Sequence, residues 1–125
     1  MGLQENAKFN RDRYDSGLLM WDSDALGAGA NTSTVINKFV GEGAGIKINL
    51  EAVSGTSPTL DCVVSGSKDG STYVEVFDFP QIVEADDGED FFMPLPITDY
   101  DYWKIVGTVG GSATPIMTVT AFMTF

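Results

Sequence analysis

Ile46-Lys47-Ile48-Asn49-Leu50-Glu51-Ala52 places an apolar side chain at every second position and a polar one between. Successive side chains of a strand point to opposite faces, so the stretch predicts a strand with one buried and one wet face. Ser54-Gly55-Thr56-Ser57-Pro58 then supplies turn residues, and Thr59 to Ser65 resumes with Leu60, Cys62 and Val64 on one side. Ser67-Lys68-Asp69-Gly70-Ser71 is the sharpest turn signal in the chain, because Asp-Gly tolerates the positive φ of a tight hairpin. It joins Thr59–Ser65 to a second strand, Thr72 to Phe79, which Pro80 ends because proline cannot donate to a ladder.

The same reading extends outward in both directions. Gly17-Leu18-Leu19-Met20-Trp21 is apolar on consecutive residues and reads as a short strand or an anchor, interrupted by Asp22-Ser23-Asp24 and Gly27-Ala28-Gly29-Ala30. Asn31 to Val40 carries Val35, Ile36, Phe39 and Val40, strand-forming material. Glu84-Ala85-Asp86-Asp87-Gly88-Glu89-Asp90 is an acidic loop, and the prolines of Phe91 to Ile97 suit an edge strand. Asp99 to Val109 reads as a strand, Gly110 to Pro115 as a turn, and Ile116 to Phe125 alternates again, locking the C-terminus into the sheet. The spacing predicts an all-β domain, an antiparallel β-sandwich or jelly roll of about eight strands over residues 17–125. Residues 1–16 are polar and unpatterned and read as an extended N-terminal arm, with Lys8, Arg11 and Arg13 as three of the seven basic residues.

Composition narrows the function classes. A chain of 125 residues is one domain in size and can bury roughly two thirds of the surface its unfolded form exposes. No apolar run approaches the ~20 residues of a membrane helix, and Met1 to Asn10 lacks the apolar region of a secretory signal, so the expectation is a protein made and used without export. The formal net charge of −11 repels phosphate backbones and anionic lipid, which argues against nucleic-acid and membrane partners. The chain has no histidine, the commonest general base and metal ligand, and its single cysteine, Cys62, sits on an apolar alternating face as a buried small hydrophobe.

Three constellations bear on chemistry. The loop Glu84 to Asp90 has the composition of a calcium loop but lacks the order of ligands and the downstream bidentate glutamate, so it reads as a solvated tip. The strand-borne acids Glu51, Asp61, Glu75 and Asp78 fall at outward positions rather than flanking an aromatic cleft, which argues against a glycosidase. Trp21, Trp103, Tyr100 and Tyr102 suit either a stacking platform or core packing, with Trp103 in mid-strand reading as core. No phosphate-cradling loop, nucleophile elbow or Cys pair is present. The expectation is a protein without catalytic residues, cofactor or metal.

Two stretches carry a resemblance. Asp22-Ser23-Asp24-Ala25-Leu26 followed by Ala30-Asn31-Thr32-Ser33-Thr34-Val35-Ile36-Asn37, and Tyr102-Trp103-Lys104-Ile105-Val106-Gly107-Thr108-Val109 with Gly110 to Pro115 and the final Thr-rich strand, resemble the small jelly-roll cement, or decoration, proteins of tailed bacteriophage capsids. They cover roughly a third of the chain, and Asn37 stands where that family carries an acid. The resemblance implies a virion protein on the outer face of the head, a homodimer or homotrimer bridging major capsid protein subunits. Lys8, Arg11 and Arg13 of the arm and the apolar patch Leu18, Leu19, Met20 and Trp21 would then grip the shell. The alternative is a non-catalytic carbohydrate-binding β-sandwich module of a virion or surface protein.

Overall fold

The computed structural model describes residues 18–37, 43–96 and 98–124. Among them the chain is almost entirely extended: β1 (Leu19–Gly27), β2 (Gly29–Thr32), β3 (Ile36–Asn37), β4 (Gly45–Ser67), β5 (Val74–Asp78), β6 (Ile82–Val83), β7 (Asp90–Pro94) and β8 (Tyr102–Thr124), with one 3-10 turn at Glu84–Asp86. All eight strands belong to one antiparallel sheet. The expected all-β architecture and strand number are what the chain adopts.

Two 23-residue strands, β4 and β8, pair along their whole length, from Gly45 opposite Thr124 to Ser67 opposite Tyr102. The other edge of β8 takes β1, β2 and β3, and that of β4 takes β7, β6 and β5. The turn signals at Ser54–Pro58 and Gly110–Pro115 do not reverse the chain as the sequence suggests. They lie opposite each other and bend both long strands at one shared corner, where Thr56 pairs with Ser112. Gly55 and Gly111 have φ of 92° and 122°, and Ser57, Ala113 and Thr114 are also left-handed. Residues of this kind bend the backbone without breaking the antiparallel ladder between its flanks.

The corner divides the sheet into two limbs. The first holds β1, the start of β4, β7 and the end of β8; the second holds β2, β3, the end of β4, β5, β6 and the start of β8. Along β4 the inward residues are Ile46, Ile48, Leu50, Leu60, Cys62 and Val64, and along β8 Trp103, Ile105, Val109, Met117, Val119, Ala121 and Met123, each at most 3% exposed. The parity is unchanged across the corner, even on β4 and odd on β8. One face of a single sheet is therefore the inside of both limbs, and folding it at the corner makes a sandwich-like body. Burying an aliphatic side chain is worth about 1.5–3 kcal/mol, and a one-residue slip would turn the whole set outward, which locks the register.

Side-chain and backbone contacts close the fold. Trp21 of β1 pairs with the first limb at Ala121, while its ring lies against Gly107 of the second. At the open side Thr34 N–H donates to Met20 O at 3.0 Å. Ser33, between β2 and β3, ties that connection to β8 by donating its N–H to Ile105 O and accepting Ile105 N–H on Oγ, both at 2.9 Å. The Ser67–Ser71 hairpin turn, predicted from Asp-Gly, joins β4 to β5, with Gly70 at φ 81°.

Candidate interaction surface

The expected anchor is partly consumed by the fold. Lys8, Arg11 and Arg13, and with them the arm over 1–16, lie outside the described residues. Leu18 and Leu19 are half-buried, but Met20 and Trp21 are 1% and 3% exposed and belong to the core. The reading of Leu18 to Trp21 as an exposed patch is corrected for these two. The β1 ladder shifts register between Leu19 and Trp21 and again between Trp21 and Asp24, and Ser23 has φ 53°. Such bulges let two consecutive side chains face inward, which strict alternation forbids.

The aromatic residues divide in the same way. Trp103 is fully buried, as expected, with Tyr100 packed edge-on at 6.0 Å and 77°, and its Nε1 has no hydrogen-bond acceptor. Tyr100 and Tyr102 remain half-exposed. Lys104 Nζ stands 4.1 Å over the ring centre of Tyr73, on the outer face of the second limb. Burial, with Tyr102 and Asp69 nearby, raises the Tyr73 phenol above its ordinary range. The indoles of Trp21 and Trp103 are thus closed to a stacking ligand.

On the outer face of the first limb, β1, β8, β4 and β7 surround a shallow depression of about 360 Å³ lined by Asp22, Ser23, Lys47, Asn49, Glu51, Asp90, Thr120 and Phe122. Its polar groups are tied to one another. Glu51 accepts from Ser23 Oγ at 2.9 Å and from Thr120 Oγ1, Asp90 accepts from Asn49 Nδ2, and Lys47 Nζ lies 3.5 Å from Asp90. The outward placement expected for Glu51, Asp61, Glu75 and Asp78 holds, since all four are exposed.

The acidic loop forms the Glu84–Asp86 turn, where Asp86 Oδ2 accepts Val83 N–H at 2.9 Å. Among the described residues no group of three acidic or cysteine side chains is arranged to hold a metal ion. Cys62 is buried on β4, and burial, with Asp61 adjacent, pushes its thiol up to about 12. Of the described lysines, Lys47 pairs with Asp90, Lys68 lies 2.9 Å from Asp99, and Lys104 is held over Tyr73. The Lys68–Asp99 hydrogen bond raises the Lys68 pKa and lowers that of Asp99.

Three large apolar side chains are exposed among the described residues: Val35 at 43%, Val74 at 50% and Phe92 at 53%. Alternation marks Val35 and Val74 as strand residues and cannot tell a core face from an edge, so local sequence does not single them out. Phe92 lies over Gly45, where a Cβ would run into the ring. No protein-family model and no curated protein matches this chain.

Proposed function

We propose that this chain is a capsid decoration protein, which binds the outer surface of an assembled phage head and stabilises the contacts between its major capsid protein subunits. The observation that carries this reading is the attachment of β1. The strand that follows residues 1–17 is fixed to the first limb by pairing with β8 and to the second by the Trp21 ring on Gly107. A load applied through the N-terminal segment passes into the core of both limbs. Such a body suits a clamp that holds only the assembled shell, stabilising it by mass action and repeated over many symmetry-related copies.

A sugar-binding module would use the depression beside Phe122. Its carboxylates and hydroxyls are already engaged with one another, so a ligand would have to displace Ser23 and Thr120 from Glu51. The protein-binding reading needs no such exchange.

The test mixes purified protein with expanded heads assembled without it, counting bound copies and measuring resistance to heat. Saturable binding with a raised disruption temperature supports the reading; absence of binding sinks it. The arm is tested by deletion of residues 1–17, since a longer cut through Trp21 would remove two core side chains together with the arm. A folded deletion variant that docks undiminished would show that the arm is irrelevant.

A further inference from the structure

The sheet repeats itself along the chain. The two 23-residue strands correspond position for position, Gly45 of β4 with Tyr102 of β8 and Ser67 with Thr124, an offset of 57. Ser57-Pro58 and Thr114-Pro115 coincide under that offset, with left-handed Ser57 and Thr114 (φ 48° and 56°) each preceding a buried proline. The short strands follow the same rule. Ile36 pairs with Trp103 as Met93 pairs with Ile46, and Asn37 with Tyr102 as Pro94 with Gly45. Leu26 pairs with Met117 as Ile82 with Leu60, and Trp21 with Ala121 as Phe77 with Val64. Even the bulge recurs, between Leu19 and Trp21 on β1 and between Glu75 and Phe77 on β5. The chain is two halves of like fold, β1–β4 and β5–β8, related by an approximate two-fold at the shared corner.

Every pairing of the sheet joins one half to the other: β1, β2 and β3 to β8, β5, β6 and β7 to β4, and β4 to β8. Among the described residues no strand pairs inside its own half. Each limb therefore contains strands of both halves, and a half without its counterpart would leave its strand edges and its apolar face to water. The sizes of the core residues fix which halves match. Gly107 seats the Trp21 ring, while the corresponding position of the first half is Leu50. Gly66 lies opposite Trp103, where a Cβ would come 2.7 Å from the Tyr100 ring, while its counterpart in the second half is Met123, opposite Ile46. Two first halves would drive Trp21 into Leu50, and two second halves would set Trp103 against Met123. A first half fits only a second half.

We infer that a second copy of this chain is a partner of the molecule, joined by reciprocal exchange of halves: β1–β4 of each copy fold with β5–β8 of the other. Only the connection from Gly66 to Val74 links the halves covalently, and in the closed form these two residues pair. That form is a tight turn, with Gly70 at φ 81° and Asp69 accepting the N–H groups of Ser71 and Thr72. Opened, its eight residue steps reach at most roughly 28 Å, enough to lead the chain from one body into a neighbouring one. The exchanged dimer keeps every strand pairing and every core seat of the single copy and gives up only the turn. The turn and the protein concentration therefore set the balance between one copy and two.

The inference does not rest on the decoration reading, and its test uses the full chain alone. Ala25→Cys/Thr118→Cys places a thiol pair on opposed residues of β1 and β8, whose Cα atoms stand about 4.5–5.5 Å apart in an antiparallel ladder, within disulfide reach. Its disulfide closes within one chain in the single copy and between chains in the exchanged dimer. Adding Asp69→Pro/Gly70→Pro removes the turn, since proline cannot take a φ of 81°. The expected product is a soluble dimer with native circular dichroism that remains a covalent dimer on a denaturing, non-reducing gel. A monomer overturns the inference, and so does a dimer that falls to single chains on that gel. A second arm keeps the natural turn and decides the matter even where the proline variant does not fold. The Ala25→Cys/Thr118→Cys protein is unfolded in reductant, refolded at increasing concentration and then oxidised. The interchain-bonded fraction should rise roughly ten-fold for each ten-fold in concentration while the dimer is the minor species. Its absence at every concentration overturns the exchange.

Discussion

The ring of Trp21, carried by β1 on one limb, rests on Gly107 of β8 in the other: a Cβ at position 107 would lie 2.9 Å from Trp21 Cη2 and 3.0 Å from Leu60 Cδ1. Gly107 is a seat for an indole, and its bare Cα sets the distance between the limbs.

Gly107→Ala is therefore expected to destabilise the fold by about 1–3 kcal/mol through overpacking. Trp21→Phe in the same chain should recover part of that loss by withdrawing the outer ring. Denaturant unfolding of the two single variants and the double variant measures the coupling, and strict additivity would contradict the contact.

At the corner, Ala113 and Thr114 have φ of 58° and 56°. A β-branched residue in the left-handed region costs about 1–2 kcal/mol, which asparagine tolerates better. Thr114→Asn should raise the melting temperature by a few degrees. Gly111→Ala should lower it, since φ is 122° and a Cβ would meet Pro58 Cα and the carbonyl oxygens of Ser57 and Thr56 at 3.0 Å. Thermal unfolding of both variants checks the opposite signs.

Cys62 should ignore thiol reagents in the native protein and react at once in denaturant, which a colorimetric thiol assay reads directly. Its folded pKa, about 12, exceeds the ordinary value of 9.0. Above pH 9 the unfolded chain loses a proton that the native chain retains. The stabilisation from the buried thiol is thus complete below pH 9 and declines progressively between 9 and 12. Cys62→Ala should flatten that part of the pH–stability curve.

The Asp69 carboxylate accepts backbone N–H groups from Thr72 and Ser71 and the Ser67 hydroxyl, which together lower its pKa. These bonds favour the ionised form, so the hairpin tip should stay ordered above the ordinary aspartate range and loosen only as pH falls through the depressed pKa. Amide shifts of Ser71 and Thr72 followed against pH would show a common midpoint below that of an unperturbed aspartate. Asp69→Asn should abolish that titration.

Much of this architecture is legible in the sequence where side chains alternate without interruption. Ile46 to Leu50, Leu60 to Val64 and Met117 to Met123 identify inward faces that the fold keeps, and Asp69-Gly70 identifies its hairpin. The corner is not legible, because a glycine and serine cluster looks the same whether the chain reverses or only bends. What distinguishes the two outcomes is pairing between Thr56 and Ser112, residues distant in the chain. The bulged edge is equally hidden. Met20 and Trp21 both turn inward where β1 shifts register, so an alternation rule sends one of them to the surface. The exposed positions of Val35, Val74 and Phe92 depend on which strands end the sheet, a property of the assembled topology rather than of any local window.

The continuous pairing of β4 with β8 also governs how the molecule comes to exist. Gly45 meets Thr124 and Ser67 meets Tyr102, so the central ladder joins stretches separated by between 35 and 79 positions, and neither limb has its full complement of strands until β8 is in place. Chains dominated by such remote partners fold on the millisecond-to-second scale. During that interval the β8-facing edge of β4 is exposed without its partner. A newly made copy would be most vulnerable to clumping then, before the last 23-residue strand has left the ribosome.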